Sequence, residues 1–442
     1  MEKVDTLIKA RWVAPVAPAG GALEHHAVAI SQGRIVALLP VAEALLRFDA
    51  AEVLERPDHL LIPGLVNAHT HAAMALLRGL ADDLPLMTWL QEHIWPAEQR
   101  WMSAEFVEHG SELAMAEMLL GGTTTFNDMY FFPEVVARSA ARIGMRACVG
   151  MILIRFPTVW ASEPAEYLRK GLALRDEYKG HPLITTAFAP HAPYTVDDEY
   201  LVKIRRLADE LEIPVHTHVH ETADEVMGSV VDYGARPLAR LDALGLVSPM
   251  LMAVHMTQLE DAEIQRIAAA GASVVHCPES NLKLASGFCP VAKLLEAGVN
   301  VCLGTDGAAS NNDLDMLGEM RTAALVAKGV AGRADAVSAA QVLAMATING
   351  ARALGLADEI GSIEAGKWAD LCCIHLRRPA TWPVYDPVAQ LVYAGSRDQV
   401  EDVWVAGRRM VAEGRLARLD DALIMARAAD WRERIAGADD ND

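Results

Sequence analysis

The sequence predicts an α/β protein: a (β/α)8 barrel of the TIM type over residues 60–360, flanked by a small β-sandwich domain built from both chain ends, residues 1–59 and 361–442. Three observations carry this. About eight short apolar runs, each followed by enough chain for a helix, occupy roughly 250 residues, which is the arithmetic of that barrel. Ionisable residues gather where those runs end, the face on which such a barrel carries its chemistry. The two chain ends share a different rhythm, short strands broken by turn residues.

From Val4 to Glu55 the text is β-rich, and Ser31-Gln32-Gly33 between AVAI and RIVALL predicts a hairpin turn. The barrel rhythm starts at Leu60. Strands are read in LLIPGLVNAH, GTTTFNDMY, MRACVGMIL, LITTAFAP, IPVHTHVH, MLMAVHM, ASVVHCP and VNVCLGTDG, with helices over Ser103–Leu120, Ala165–Tyr178, Asp198–Leu211 and Ala262–Ala270. Helical crossovers make the strands parallel. Ser338–Leu354 reads as one further helix. After Gly361, GSIEAGKWADLCCIHL and EDVWVAGRRMVAEG return to strands, which predicts that the two ends pair with each other. The last residues, GADDND, are polar and predicted to fray.

Composition removes several functions. The 39 Lys and Arg against 59 Asp and Glu give a formal charge of −20, which repels nucleic acid and anionic membranes. No apolar stretch reaches signal-peptide or membrane-spanning length, and the six cysteines show neither CxxC pairing nor the density of a disulfide scaffold. A cytoplasmic protein with reduced thiols is expected.

His69 and His71 close the first barrel strand in NAHTH. Side chains at i and i+2 of a strand share a face, so both imidazoles enter the barrel about 6–7 Å apart along the chain, near enough to share an ion. An isolated HxH is more often a packed or surface pair. The fifth strand, however, reads VHTHVHE, with His216, His218 and His220 on one face and Glu221 at or just past its end. Three buried imidazoles are costly to desolvate unless something binds them. They cannot all ligate one ion: His216 lies deeper and reads as a hydrogen-bonded core residue, and His220 reads as support to the ligands. The sixth strand ends in His255 and the eighth in Asp306, within LGTDGAASNN. A carboxylate there is commonly just the cap of the next helix. Here it completes a set of three histidines and an aspartate at the same end of four strands. Such ligands suit one divalent ion, Zn2+ first and Fe2+ open on ligands alone, with a coordination position left for water. Water on zinc has a pKa near about 7, and Glu221 and His255 are the proton carriers within reach.

These segments together resemble the amidohydrolase superfamily, in particular its mononuclear deaminase and chlorohydrolase branch. IPGLVNAHTH, HVHE, VHMT, HCPESNLKL and LGTDGAASNN all match, and the similarity runs from Ile8 to Gly407. Binuclear members carry a carboxylated lysine at the end of strand 4; this strand reads LITTAFAPHAPYT, without lysine, so the resemblance implies one metal ion. Within the branch, LRGLADDLPLMTWLQEHIWPAE, HAPYT and PESNLKLASGFCPV are similar to the 5′-methylthioadenosine/S-adenosylhomocysteine deaminase family. Carried over residue by residue, the resemblance implies His69, His71, His218 and Asp306 as metal ligands. It implies Glu98 as acceptor for the ribose hydroxyls, His191 as a nucleoside contact, and Glu221 at purine N1 with Asp306 beside it. Two carboxylate oxygens suit a vicinal diol. Arg155 is the only arginine in GMILIRFPTVWASEP, where some members use arginines to hold the amino-acid carboxylate of S-adenosylhomocysteine. Trp89 and Trp95 share the segment of Glu98 and are candidate pocket walls, although tryptophans at such spacing are often plain core. Related barrels are commonly dimers or tetramers, which implies a homo-oligomer.

The reaction so implied is hydrolytic deamination at C6 of an adenosine-type nucleoside. Asp306 takes a proton from water, Glu221 protonates N1 and then the leaving amine, and His255 orients the nucleophile. One rival keeps the site but changes the ring, to guanine or pterin deamination or triazine dechlorination, and Glu98 discriminates. A second rival is a barrel that has lost catalysis and only binds, since a fold does not fix a function. The intact ligand set beside Glu221 argues against it.

Overall fold

A computed structural model describes residues 1–18 and 20–439. Four strands come first: β1 (Glu2–Val13), β2 (Leu23–Ser31), β3 (Arg34–Pro40) and β4 (Phe48–Pro63). Eight barrel strands follow: β5 (Leu65–Thr70), β6 (Thr123–Asp128), β7 (Arg146–Leu153), β8 (Ile184–Pro190), β9 (Val215–Val219), β10 (Leu251–His255), β11 (Ser273–His276) and β12 (Asn300–Leu303). The last four are β13 (Leu371–His375), β14 (Val400–Val405), β15 (Arg408–Ala412) and β16 (Arg415–Leu416). The chain divides into two compact units. One comprises Met1–Asn67, Glu117–Thr125 and Asp315–Leu419, and the other Ala68–Ala116, Phe126–Leu314 and Asp420–Asp442.

In the first unit the chain ends pair into one eight-stranded sheet of order β16-β15-β14-β13-β4-β1-β2-β3. Period-2 alternation fills both of its faces. Leu7, Ala27 and Ala29 enter one apolar cluster; Ile8, Ala10, Val28 and Ile30 enter the other. The turn between β2 and β3 has positive φ at both Gln32 and Gly33, the geometry that matches strand twist in a two-residue hairpin.

β5 to β12 form the second sheet in sequential order, with parallel registers along β7-β8-β9-β10-β11-β12. Its two outermost members meet at their ends: the Asp306 N–H donates to the His69 carbonyl at 3.0 Å. The approach depends on Gly304, where a Cβ would stand 2.8 Å from the His69 backbone nitrogen. Helices fill the crossovers at Ala104–Leu120, Pro164–Glu177, Asp198–Leu211 and Asp261–Ala270, within a residue of expectation.

Two expectations are corrected. LLIPGLVNAH is not one strand: Leu60–Pro63 end β4, paired antiparallel with β13, and the barrel strand begins at Leu65. Pro63 brings no N–H to a ladder, and Gly64 packs so close to Thr124 that a Cβ would lie 2.1 Å from its Oγ1. Ser338–Leu354 is two short helices, Ala339–Met345 and Ile348–Ala353, broken where Thr347 takes φ −135° and ψ −96°. Past the last strand, Asp421–Asp439 forms a helix whose Trp431 packs edge-on against Phe106 with ring centroids 5.2 Å apart. Of the GADDND tail, residues 440–442 lie outside the described residues. Among the described residues no helix is long and apolar enough to cross a membrane.

Because strand and backbone meet at Gly304 without room for a methyl group, Gly304→Ala is expected to cost about 1–3 kcal/mol of stability and to lower metal affinity by displacing His69. Chemical denaturation and metal titration of the variant measure both.

Candidate active site

Four side chains converge at the C-terminal ends of three barrel strands. The ligand atoms of His69, His71, His218 and Asp306 lie within 4.8 Å of one another. Each imidazole is held by its Nδ1. That of His71 donates to the Met129 carbonyl at 2.6 Å, that of His218 to the His191 carbonyl at 2.7 Å, and that of His69 faces Nε2 of His216 at 2.9 Å. The sequence placed His216 in the core, and the structure makes it the residue that orients His69.

With each Nδ1 occupied, the Nε2 lone pairs turn inward. Those of His69 and His218 stand 3.2 Å apart, and Asp306 Oδ1 is 3.2 Å from Nε2 of both His69 and His71. Oδ2 of Asp306 accepts from Ser280 Oγ at 2.7 Å and Ser310 Oγ at 2.9 Å, which fixes the carboxylate. Ligands at 2.0–2.2 Å in tetrahedral array stand about 3.3–3.6 Å apart, so the arrangement fits one divalent ion. The facing Nε2 lone pairs of His69 and His218 otherwise repel. Burial favours a neutral Asp306, but the hydrogen bonds and charge of His69 and His71 outweigh it and hold the carboxyl well below its usual range. Burial holds His69 down at about 4 and His218 well below the usual imidazole range. Burial also works against protonation of His71, yet Asp306 and the Met129 carbonyl prevail and raise it to about 9.

Backbone strain aims the groups beside the ligands. His220, His255 and Asp306 all have positive φ, at 55°, 74° and 63°. At His220 this ends the alternation of β9. The expectation that His216, His218 and His220 share one face therefore holds only for the first two. His220 turns away, its Nε2 accepting from the Leu238 N–H at 3.1 Å, and Glu221 enters the pocket instead. The Glu225 carboxylate secures the turn by accepting from the N–H groups of His220 and Glu221 at 3.1 and 2.6 Å. Glu221 Oε1 lies 3.8 Å from Nε2 of His255, whose Nδ1 meets Asn281 Oδ1 at 2.9 Å. Burial raises the Glu221 carboxyl, with His255 opposing in part.

These groups open on a cavity of about 570 Å3. Trp89, Trp95, Met102, Phe131, Ile152 and Phe156 give it apolar walls, so the two tryptophans do line the pocket. Glu98 and His191 line it as well. Burial lifts the Glu98 carboxyl to about 7, although the Tyr130 hydroxyl donates to Oε1 at 2.7 Å. Burial and the charge of His71 push His191 down to about 3, and its Nδ1 lies 3.1 Å from Thr195 Oγ1. Arg155 is absent from the lining; its half-exposed guanidinium stands 3.7 Å from Asp197. Sequence reasoning named neither Ser280, Asn281 and Ser310 nor Tyr130. The first three fall inside HCPESNLKL and LGTDGAASNN, just beyond strand ends, and Tyr130 closes GTTTFNDMY, so strand-end position was a usable signal for all four.

A barrel with three imidazoles, an aspartate and a buried glutamate at its mouth is the architecture of a metal-dependent hydrolase. Residues 60–410 match the amidohydrolase family. The chain belongs to that family and, within it, to the 5′-methylthioadenosine/S-adenosylhomocysteine deaminase family. A 5-methylthioadenosine/S-adenosylhomocysteine deaminase of Teredinibacter turnerae is 51% identical, with 98% of each chain covered. A solved adenosine deaminase of Xanthomonas campestris with bound zinc is 56% identical, with a TM-score of 0.98 and 99% of each chain covered. The zinc complex of an atrazine chlorohydrolase of Arthrobacter aurescens, 24% identical with a TM-score of 0.90, covers 97% of this chain and 100% of its own and shares the fold.

A cation entering between His71 and Asp306 must displace the His71 proton. At pH 7.5, below the His71 value of about 9, titrating Zn2+ into the metal-stripped chain is expected to release about one to two protons per ion, close to one from His71 and the rest from bound water whose pKa is near about 7, and affinity should fall at least about tenfold per pH unit as pH drops from there. Calorimetry in buffers of different ionisation enthalpy counts the protons.

Proposed function

We propose that the chain deaminates adenosine-type nucleosides at C6, with water as co-substrate and the inosine-type nucleoside and ammonia as products. The observation that carries the reading is the placement of Glu221, buried and raised, beside a ligand set that fits one divalent ion, in a cavity of nucleoside size. Relatives named for this activity support it. His69, His71, His218 and Asp306 hold the ion, proposed to be Zn2+, the metal of the solved adenosine deaminase. When bound, it supplies a Lewis acid that brings the pKa of water to about 7.

Glu221 is the acid. Its carboxyl, raised by burial, donates from Oε1 or Oε2 to N1 as the C6=N1 π pair moves onto N1. The Asp306 carboxylate takes a proton from the water whose oxygen bonds to C6, and His255 Nε2, steadied by Asn281, hydrogen-bonds that oxygen. Glu221, now a carboxylate, takes the proton of the new C6 hydroxyl and passes it to the exocyclic nitrogen; the C6–N bond breaks as C6=O forms, ammonia leaves the keto product with N1 still protonated, and the proton held by Asp306 restores Glu221. At the other end Glu98 accepts from the ribose diol, held in place by Tyr130, while His191 contacts the nucleoside. Among the described residues no lysine or arginine lines the cavity, and Arg155 is turned to Asp197. An apolar 5′-methylthio group is thus favoured over the charged homocysteine tail.

Ammonia release from 5′-methylthioadenosine, adenosine and S-adenosylhomocysteine tests the reading; the first should give the highest kcat/KM, and no release from any of them would end it. Glu221→Gln should lower kcat by about 10²–10⁴-fold with metal content unchanged.

Glu98 gives a pH signature. With a value of about 7, it is a carboxylate above that pH and loses acceptor capacity below it, so KM for nucleosides should rise as pH falls through 7. Glu98→Gln should raise KM by about 10–100-fold and abolish this limb, while a bare purine base is unaffected.

A further inference from the structure

A second group of ligating side chains meets in the eight-stranded sheet of the first unit. β4, β13 and β14 are neighbours there, and His375 stands directly opposite His59 in the antiparallel register. In the next pair Cys373 opposes Asp402 while Ile374 opposes Val400, which leaves Glu401 as the extra residue of a β-bulge. Bulges re-aim side chains. This one brings the Glu401 carboxylate onto both imidazoles: Oε2 is 2.7 Å from His59 Nε2 and Oε1 is 3.2 Å from His375 Nδ1. The two rings stack with centroids 4.7 Å apart and planes 19° from parallel. One ligand atom from each residue lies within 4.8 Å of the other two, and His59 is 7% exposed.

Ordinary hydrogen bonding leaves this cluster incomplete. Nδ1 of His375 is buried and forms no hydrogen bond although Oε1 is 3.2 Å away, so it is aimed past the carboxylate rather than at it. Ligands of one ion behave in this way, close together and directed at a shared point. We infer that His59, His375 and Glu401 form a second divalent-cation site, distinct from the catalytic one, that takes Zn2+ or a similar borderline ion with water completing the coordination. Two imidazoles and one carboxylate are a known zinc donor set. Positive neighbours do not close it. Arg56 is engaged by Asp402 at 2.6 Å, and Arg378 is half exposed and reaches Glu401 Oε1 only at 3.5 Å. An ion here ties three strands together at the bulge and takes no part in the reaction.

The probe is Zn2+ alone, counted on the full chain after metal loading and gel filtration. Two ions per chain are expected for the wild type and one for each of His375→Ala and Glu401→Gln, with ammonia release from 5′-methylthioadenosine retained. Glu401→Gln keeps the shape of the side chain while removing its charge. One ion per chain in the wild type overturns the inference whether or not the variants fold, as does retention of two ions by either folded variant.

Discussion

The structure depends on one electrostatic constraint: three imidazole nitrogens and a carboxylate oxygen are held face to face at a buried barrel mouth. Unpaired, such groups are among the costliest things to bury. Here each is fixed from behind, by Met129 and His191 carbonyls, by His216 and by two serine hydroxyls. The supports determine which atom faces inward, so the ring nitrogens and the carboxylate oxygen cannot relax away from one another. A divalent ion relieves the repulsion, and that is why the arrangement reads as a metal centre rather than a polar core.

The same barrel mouth sorts its carboxyl groups by environment. Asp306 sits among imidazoles that can carry charge and stays ionised; Glu221 and Glu98 sit against apolar walls and are raised. An acid and a base coexist within one pocket because burial and charge act on them in opposite directions. Left-handed φ at His220, His255 and Asp306 is part of this design, since it swings side chains into the pocket from positions where strand alternation would turn them out.

Strand ends decided what could be read in advance. His69, His71 and His218 obey the period of two, so their common face was legible from spacing. The alternation fails at His220, and the failure is what brings in Glu221; spacing cannot show a change of φ. Glu98 and His191 were legible only through the resemblance, because a glutamate on a helix and a histidine on a loop carry no pattern of their own. The break at Gly64 and the split near Thr347 escaped for a related reason: both are set by a neighbour's packing, not by local composition.

By itself the sequence determined the βα alternation, the pairing of the chain ends, the residue types of the candidate ligand set and the net negative charge. These are local or additive properties, fixed by residue type and period. Tertiary structure alone decided that His216 backs His69, that His220 turns away and Glu221 enters the pocket, that Arg155 faces Asp197 and not the pocket, and that a bulge gathers His59, His375 and Glu401. Those outcomes depend on close approach between distant segments, where a tenth of a nanometre selects one partner over another and residue order holds no record of it.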